Sequence, residues 1–195
     1  MQPLPEGSQI QTGFDMGAEK LALPQAPKGC MLYLFGLFMT FFLFAMWGGA
    51  IVAVVSSWTE SAAEGIGVLI FVGVWLIWWS AFSYILARMC YRIWQPLVPE
   101  TLILSQPNMI YDSGIPVYQF YTGYRTAKLI WRDIFYKRTQ TEITPEQIKT
   151  LTLHEFAGGN RLTIDIGIKR LDLGKDISEI EREWLYATLR EHYGL

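Results

Sequence analysis

The sequence is poor in the side chains that carry out chemistry. Two histidines and two cysteines stand among 195 residues. Cys30 and Cys90 cannot form a closely spaced metal pair, and no HExxH motif is present. No glycine-rich phosphate loop occurs, and "AGGN" reads as a hairpin connection. His154 falls on the polar side of an alternating segment. His192 falls in the last turn of a helical segment, where a cation is favoured. Asp165 and Asp172 have no evident acid–base partner. No catalytic residue, cofactor site or metal site is assigned.

Charge is scarce as well, at 17% of residues against about a quarter in ordinary globular chains. No charged residue occurs from Gly29 to Thr59, and none from Gly65 to Ala87. Each run exceeds the roughly 20 apolar residues needed to cross a bilayer. The first run is too long, and starts too far from Met1, to read as a secretory signal. Two transmembrane helices are therefore expected within residues 29–94. The absence of His, Asp, Glu, Lys and Arg inside them argues against a proton relay or ion pathway. After Gln95 there are 12 basic and 13 acidic side chains. That balance argues against a nucleic-acid partner.

The two spans are joined by "WTESAAE", which is short enough to force a hairpin. Lys20 and Lys28 precede the first span, and Arg88 and Arg92 follow the second. Glu60 and Glu64 lie in the connection, which has no base. The positive-inside rule then places both termini in the cytoplasm, where Cys30 and Cys90 should stay reduced. Trp58 and Trp94 suit an aromatic belt. Ala45, Gly49 and Ala53 recur every four residues, a spacing that lets helices approach closely. Packing between the two spans is the first reading of this stripe, and a homodimer contact is the second. Trp75, Trp78 and Trp79 share a face suited to packing or lipid contact.

Residues 1–28 are rich in Pro, Gly and Gln without a sustained period, and read as a flexible tail. Pro96 and Pro99 end the second helix. Beyond them the period changes. "TLILS" and "NMIYDS" are short alternating segments around the turn signal "QPN". In "RLTIDIGI", Leu162, Ile164, Ile166 and Ile168 face one way, and "IKTLTLHE" before it alternates too. "TPEQI" reads as one helical turn, with Thr144 as cap, Pro145 in first position and Gln147 reaching back. The closing stretch "LDLGKDISEIEREWLYATLREHYGL" carries a capping box, Ser178 with Glu181. Its apolar stripe comprises Ile180, Trp184, Leu185 and Leu189. The expected fold is α+β: a transmembrane helical hairpin, then a small antiparallel β domain closed by a C-terminal helix. The expected boundaries are 1–28, 29–94 and 95–195.

The runs "ETLILSQPNMIYDSGIP", "LTLHEFAGGNRLTIDIG" and "RLDLGKDISEIEREWLYATLRE" resemble bacterial membrane proteins that follow a two-helix hairpin with a PH-like domain. The signature maps onto Leu173, Gly174, Glu181, Arg182, Glu183, Trp184 and Leu185. The resemblance covers Glu100 to Leu195, with the hairpin as shared architecture. It implies a multi-pass protein of the bacterial inner membrane. It implies binding or membrane-complex assembly more than catalysis, since similar domains are attached to kinases or serve the assembly of photosystem I. The departure lies between Ile115 and Lys137, which is longer and more aromatic than that pattern.

The departing stretch, "YQFYTGYRTAKLIWRDIFYKR", sets Arg125, Lys128, Arg132, Lys137 and Arg138 against one acid, Asp133. Tyr121, Tyr124, Trp131, Phe135 and Tyr136 interleave them. Basic plus aromatic is the composition of a surface that sits among anionic headgroups. The other reading is a strand pair or loop with ordinary charges on its wet side. The expected partners are the lipid bilayer and a protein, met through Arg125, Lys128, Trp131, Arg132, Lys137 and Arg138. The functional expectation is a membrane-anchored, non-catalytic binding or assembly module. The alternative is an enzyme with an unfamiliar site on the cytoplasmic domain.

Overall fold

The computed structural model describes residues 3–15, 17–60, 66–118, 127–156 and 159–195. In chain order they form β1 (Gln11–Asp15), β2 (Ala18–Leu23), α1 (Cys30–Glu60), α2 (Ile66–Trp94), β3 (Glu100–Leu104), β4 (Met109–Asp112) and α3 (Ala127–Ile134). There follow β5 (Gln140–Ile143), α4 (Pro145–Ile148), β6 (Thr152–Phe156), β7 (Gly159–Ile166), β8 (Lys169–Leu173) and α5 (Glu179–Tyr193). The chain divides into two compact units. One holds Met1–Pro27, Pro96–Val117 and Lys137–Leu195; the other holds Lys28–Gln95 and Tyr118–Tyr136.

The first unit is an antiparallel β domain. β1 to β5 form a meander in spatial order, and β6 to β8 form a second sheet. Alternation along the strands sends Leu102, Leu104, Met109, Leu162 and Ile164 inward. These side chains join Trp184, Leu185 and Leu189 of α5 in one core. α5 begins at its capping box, where the Glu181 carboxylate accepts from Ser178 N at 2.9 Å and Ser178 Oγ at 2.8 Å. α4 is a single turn, and Gln147 Oε1 accepts from Thr144 N at 3.0 Å.

Several expectations need correction. Residues 1–28 are not a free tail. β1 and β2 form a hairpin across Gly17, whose φ of +84° suits glycine, and β2 pairs with β3. Leu21 is 0% and Leu23 1% exposed. The β domain is therefore assembled from both sides of the helical insertion and does not begin at residue 95. β2 escapes a pattern reading because it offers only two inward leucines before Pro24, and its partner strand lies beyond both helices. Ile168 leaves the inward row: β7 stops at Ile166, Gly167 turns the chain at φ +61°, and Ile168 is fully exposed. Ile180 is 68% exposed, while Glu181 and Thr188 take buried places on α5 instead.

The register places both long excursions at one end of the meander. Leu23 stands opposite Glu100, Thr101 opposite Asp112, and Asp112 opposite Gln140. The chain leaves after β2 and returns at β3, then leaves after β4 and returns at β5. In an antiparallel meander these alternate connections share an edge.

The second unit is helical. Among the described residues one segment, Cys30–Val52 of α1, is long and apolar enough to cross a membrane. α2 runs antiparallel beside α1. Trp94 Nε1 donates to Thr40 Oγ1 at 3.2 Å, and a Cβ on Gly36 would stand 2.8 Å from Ile93 Cγ2. Leu32 and Ala50 of α1 are buried, as are Leu86, Cys90 and Ile93 of α2. Ala45 and Gly49 are exposed, so the stripe read from their spacing is not the seam between the helices. On α2, Trp75 and Trp79 stack at 5.1 Å and Trp78 is largely exposed. α2 ends at Trp94, just before Pro96.

Candidate membrane-surface site

Ala127–Ile134 of the aromatic-basic stretch form the helix α3, which corrects the alternative reading of a strand pair or loop for these residues; residues 119–126 lie outside the described ones. In α3 and the residue after it, Ala127, Ile130, Trp131, Ile134 and Phe135 recur at i, i+3, i+4, i+7 and i+8. That spacing makes one apolar face of a helix. It was present in the sequence but lay inside a run dense in aromatic residues, where β propensity competes. Lys128 and Arg132 are exposed, at positions outside this stripe. Ile134 is buried, whereas Ile130 and Trp131 remain about half exposed at 45% and 47%. The apolar stripe is thus only partly covered.

Within the helical unit, α3 packs against the last turns of α2. The Phe135 ring lies 6.3 Å from the Tyr84 ring and 5.6 Å from Trp131, with which it stacks. The Arg88 guanidinium lies 5.4 Å from the Phe135 ring and 5.5 Å from the Tyr91 ring. Arg92 lies over the Tyr136 ring at 5.3 Å. Lys28 completes this end of the unit. Its ammonium donates to Ile93 O at 2.7 Å and Gln95 O at 2.6 Å, capping the terminal carbonyls of α2. Partial burial, with Arg92 nearby, pushes the Lys28 ammonium below its ordinary range.

The six residues assigned from sequence are divided between the two compact units and the residues outside the description. Lys128, Trp131 and Arg132 belong to the helical unit, and Arg132 lies 3.8 Å from Asp133. Lys137 and Arg138 belong to the β domain. Lys137 is exposed, but Arg138 is engaged. Its Nε donates to Asp112 Oδ1 at 2.8 Å and its Nη2 to Oδ2 at 2.5 Å. Asp112 is 3% exposed and also accepts from Gly114 N and Gln140 Nε2. The Arg138 pair, aided by these bonds, holds the Asp112 carboxyl down at about 2. This pair closes the base of the β4–β5 excursion. Arg125, Tyr121 and Tyr124 lie outside the described residues.

Two other polar residues singled out in the sequence, Asp165 and His154, find local partners. Asp165 pairs with Arg170 at 2.8 Å, and His154 Nε2 lies 3.0 Å from Thr152 Oγ1. Both cysteines are free thiols. Among the described residues no three metal-ligating side chains gather.

Glu100 was not singled out by its sequence. It opens β3, and its carboxylate accepts from Gly174 N at 3.1 Å. Burial pushes this carboxyl up to about 7, against the bond from Gly174. The folded chain therefore holds a proton that the unfolded chain has already released above its own range near pH 4.5. Stability is highest below that range and falls as the pH rises through about 7, by about 3 kcal/mol at most. Glu100→Gln should flatten the pH 5 to 8 part of the profile and stabilise the protein at pH 8. Hydrogen exchange of β3 and β7 amides across that range measures this, and an unchanged slope in the variant would contradict the burial of Glu100.

Comparison with protein-family models, curated proteins and solved structures finds no match to this chain.

Proposed function

We propose that this protein is a membrane-tethered, non-catalytic binding or assembly module. In this reading α1 and α2 form a transmembrane hairpin in a bacterial plasma membrane, both termini are cytoplasmic, and the β domain is PH-like. The observation that carries it is α3, an amphipathic helix with a half-exposed apolar stripe and adjoining cations, packed against the basic end of α2. A helix of this kind suits the headgroup layer.

The hairpin is supported by strand pairing. β2 precedes α1 and β3 follows α2, yet the two strands are hydrogen-bonded neighbours. If α1 crosses a bilayer, α2 must cross back. The PH-like reading is supported by four successive strands, β2 to β5, then three more, closed by α5. The β1 strand and the two helical excursions are additions to that plan. A protein partner would meet the β domain, which the tether holds near the membrane at high effective concentration.

Cysteine labelling tests the arrangement. With Cys30 and Cys90 replaced by Ala, a cysteine at Ser61 should react with an impermeant maleimide in intact cells. A cysteine at the exposed Glu146 should react only after lysis. The opposite pattern, or equal labelling of both, would overturn the topology.

A further inference from the structure

The cations of the helical unit are not equivalent. Lys28 is engaged with the carbonyls that end α2. Arg88 is different. Its guanidinium lies against the Tyr91 and Phe135 rings, at 5.5 and 5.4 Å, and its Nε is buried without a hydrogen-bond partner. No acidic side chain pairs with it among the described residues. The rings hold the charge in place but supply no counter-charge. A partly desolvated guanidinium without an anion is costly, and its planar fork matches phosphate oxygens.

Resting on the membrane-tether reading above, we propose that the surface formed by α2 and α3 binds the phosphate headgroup of an anionic phospholipid. Arg88 is the central contact, and Lys128 and Arg132 provide further positive charge. The surroundings argue for a lipid and not a soluble anion. Tyr84 and Tyr91 of α2 are more than half exposed, and Ile130 and Trp131 of α3 nearly so. Such amphipathic rings settle at the membrane–water interface. A phospholipid offers phosphate to the guanidinium and acyl chain to the apolar stripe, whereas free phosphate covers only the first. Asp133 is the one acid on α3, and it stands beside Arg132, so the balance of charge favours an anionic ligand.

The test uses the full chain purified in a neutral detergent. It is mixed with phosphatidylglycerol or phosphatidylcholine of the same acyl chains, and retained lipid is counted by native mass spectrometry. The wild type should retain phosphatidylglycerol in preference, and excess inorganic phosphate should not displace it. A basic residue near a lipid surface is worth a factor of about five, so Arg88→Gln should lower the preference by about that factor. Arg88→Lys, which keeps the charge but not the fork, should fall between. The proposal is overturned if the wild type does not discriminate, if phosphate alone displaces the lipid, if Arg88→Gln binds like the wild type, or if Arg88→Lys is as poor as Arg88→Gln. Alkaline carbonate extraction of the same membranes separates this from the tether reading. Protein that resists extraction but ignores headgroup charge removes only the lipid site, whereas wild-type protein released by carbonate removes both.

Discussion

Removing residues 1–27 should unfold the β domain, although the deletion spares every strand from β3 onward. The deleted segment carries Ile10, Leu21 and Leu23, all buried in the core. Losing a buried Leu or Ile side chain costs about 2–5 kcal/mol, so three of them approach the whole stability of a typical domain, about 5–15 kcal/mol. Two further losses add to this. β3 is left without β2 on one edge, baring the outward row of its backbone groups. Glu181 loses two donors, Ser8 Oγ at 2.9 Å and Gln9 N at 3.0 Å. Those bonds, with the two from Ser178, outweigh the burial that would raise the Glu181 carboxyl and keep it below its ordinary range. For the same reason a fragment from Glu100 to Leu195 should not fold as an independent domain. Hydrogen exchange of the truncated chain, compared with the full chain in the same detergent, decides the matter. Native protection in β3, β7 and α5 without residues 1–27 would show that the N-terminal hairpin is dispensable.

Trp184→Ala should destabilise the β domain by about 3–5 kcal/mol, the range for a lost core aromatic. Trp184 is 6% exposed on α5 and belongs to the core that the helix shares with the strands. Ser178→Ala removes one cap and should cost about 1 kcal/mol, because the Glu181 carboxylate keeps its bonds to Ser8 and Gln9. The contrast between the two variants is the measurement, read from the exchange of α5 and β7 amides. Small and similar effects would mean that α5 does not close the core.

Several elements were legible in the residues. The uncharged runs, the capping box of Ser178 and Glu181, the single turn at Pro145 and the inward row Leu162–Ile164 each depend on neighbours close in the chain. Local periodicity and capping chemistry report such elements directly. α3 belonged to this class too, since Ile130, Trp131, Ile134 and Phe135 have helical spacing, but the dense aromatics obscured it.

What tertiary structure decided was whatever depends on residues far apart. β2 is a strand because β3 lies beside it, with Leu21 opposite Leu102 across the whole helical insertion. Arg138 and Lys128 look alike in sequence. One is committed to the buried Asp112, while the other is exposed on a helix that packs against α2. Glu100 became a carboxyl with a raised pKa only where β3 meets the turn at Gly174. Arg88 gained its place between two rings only when α3 folded back onto α2. Composition and spacing set which segments are apolar and which can form helices or strands, because those preferences act over a few residues. Pairing, burial and the environment of each charge are set by distance in space, which chain order does not carry.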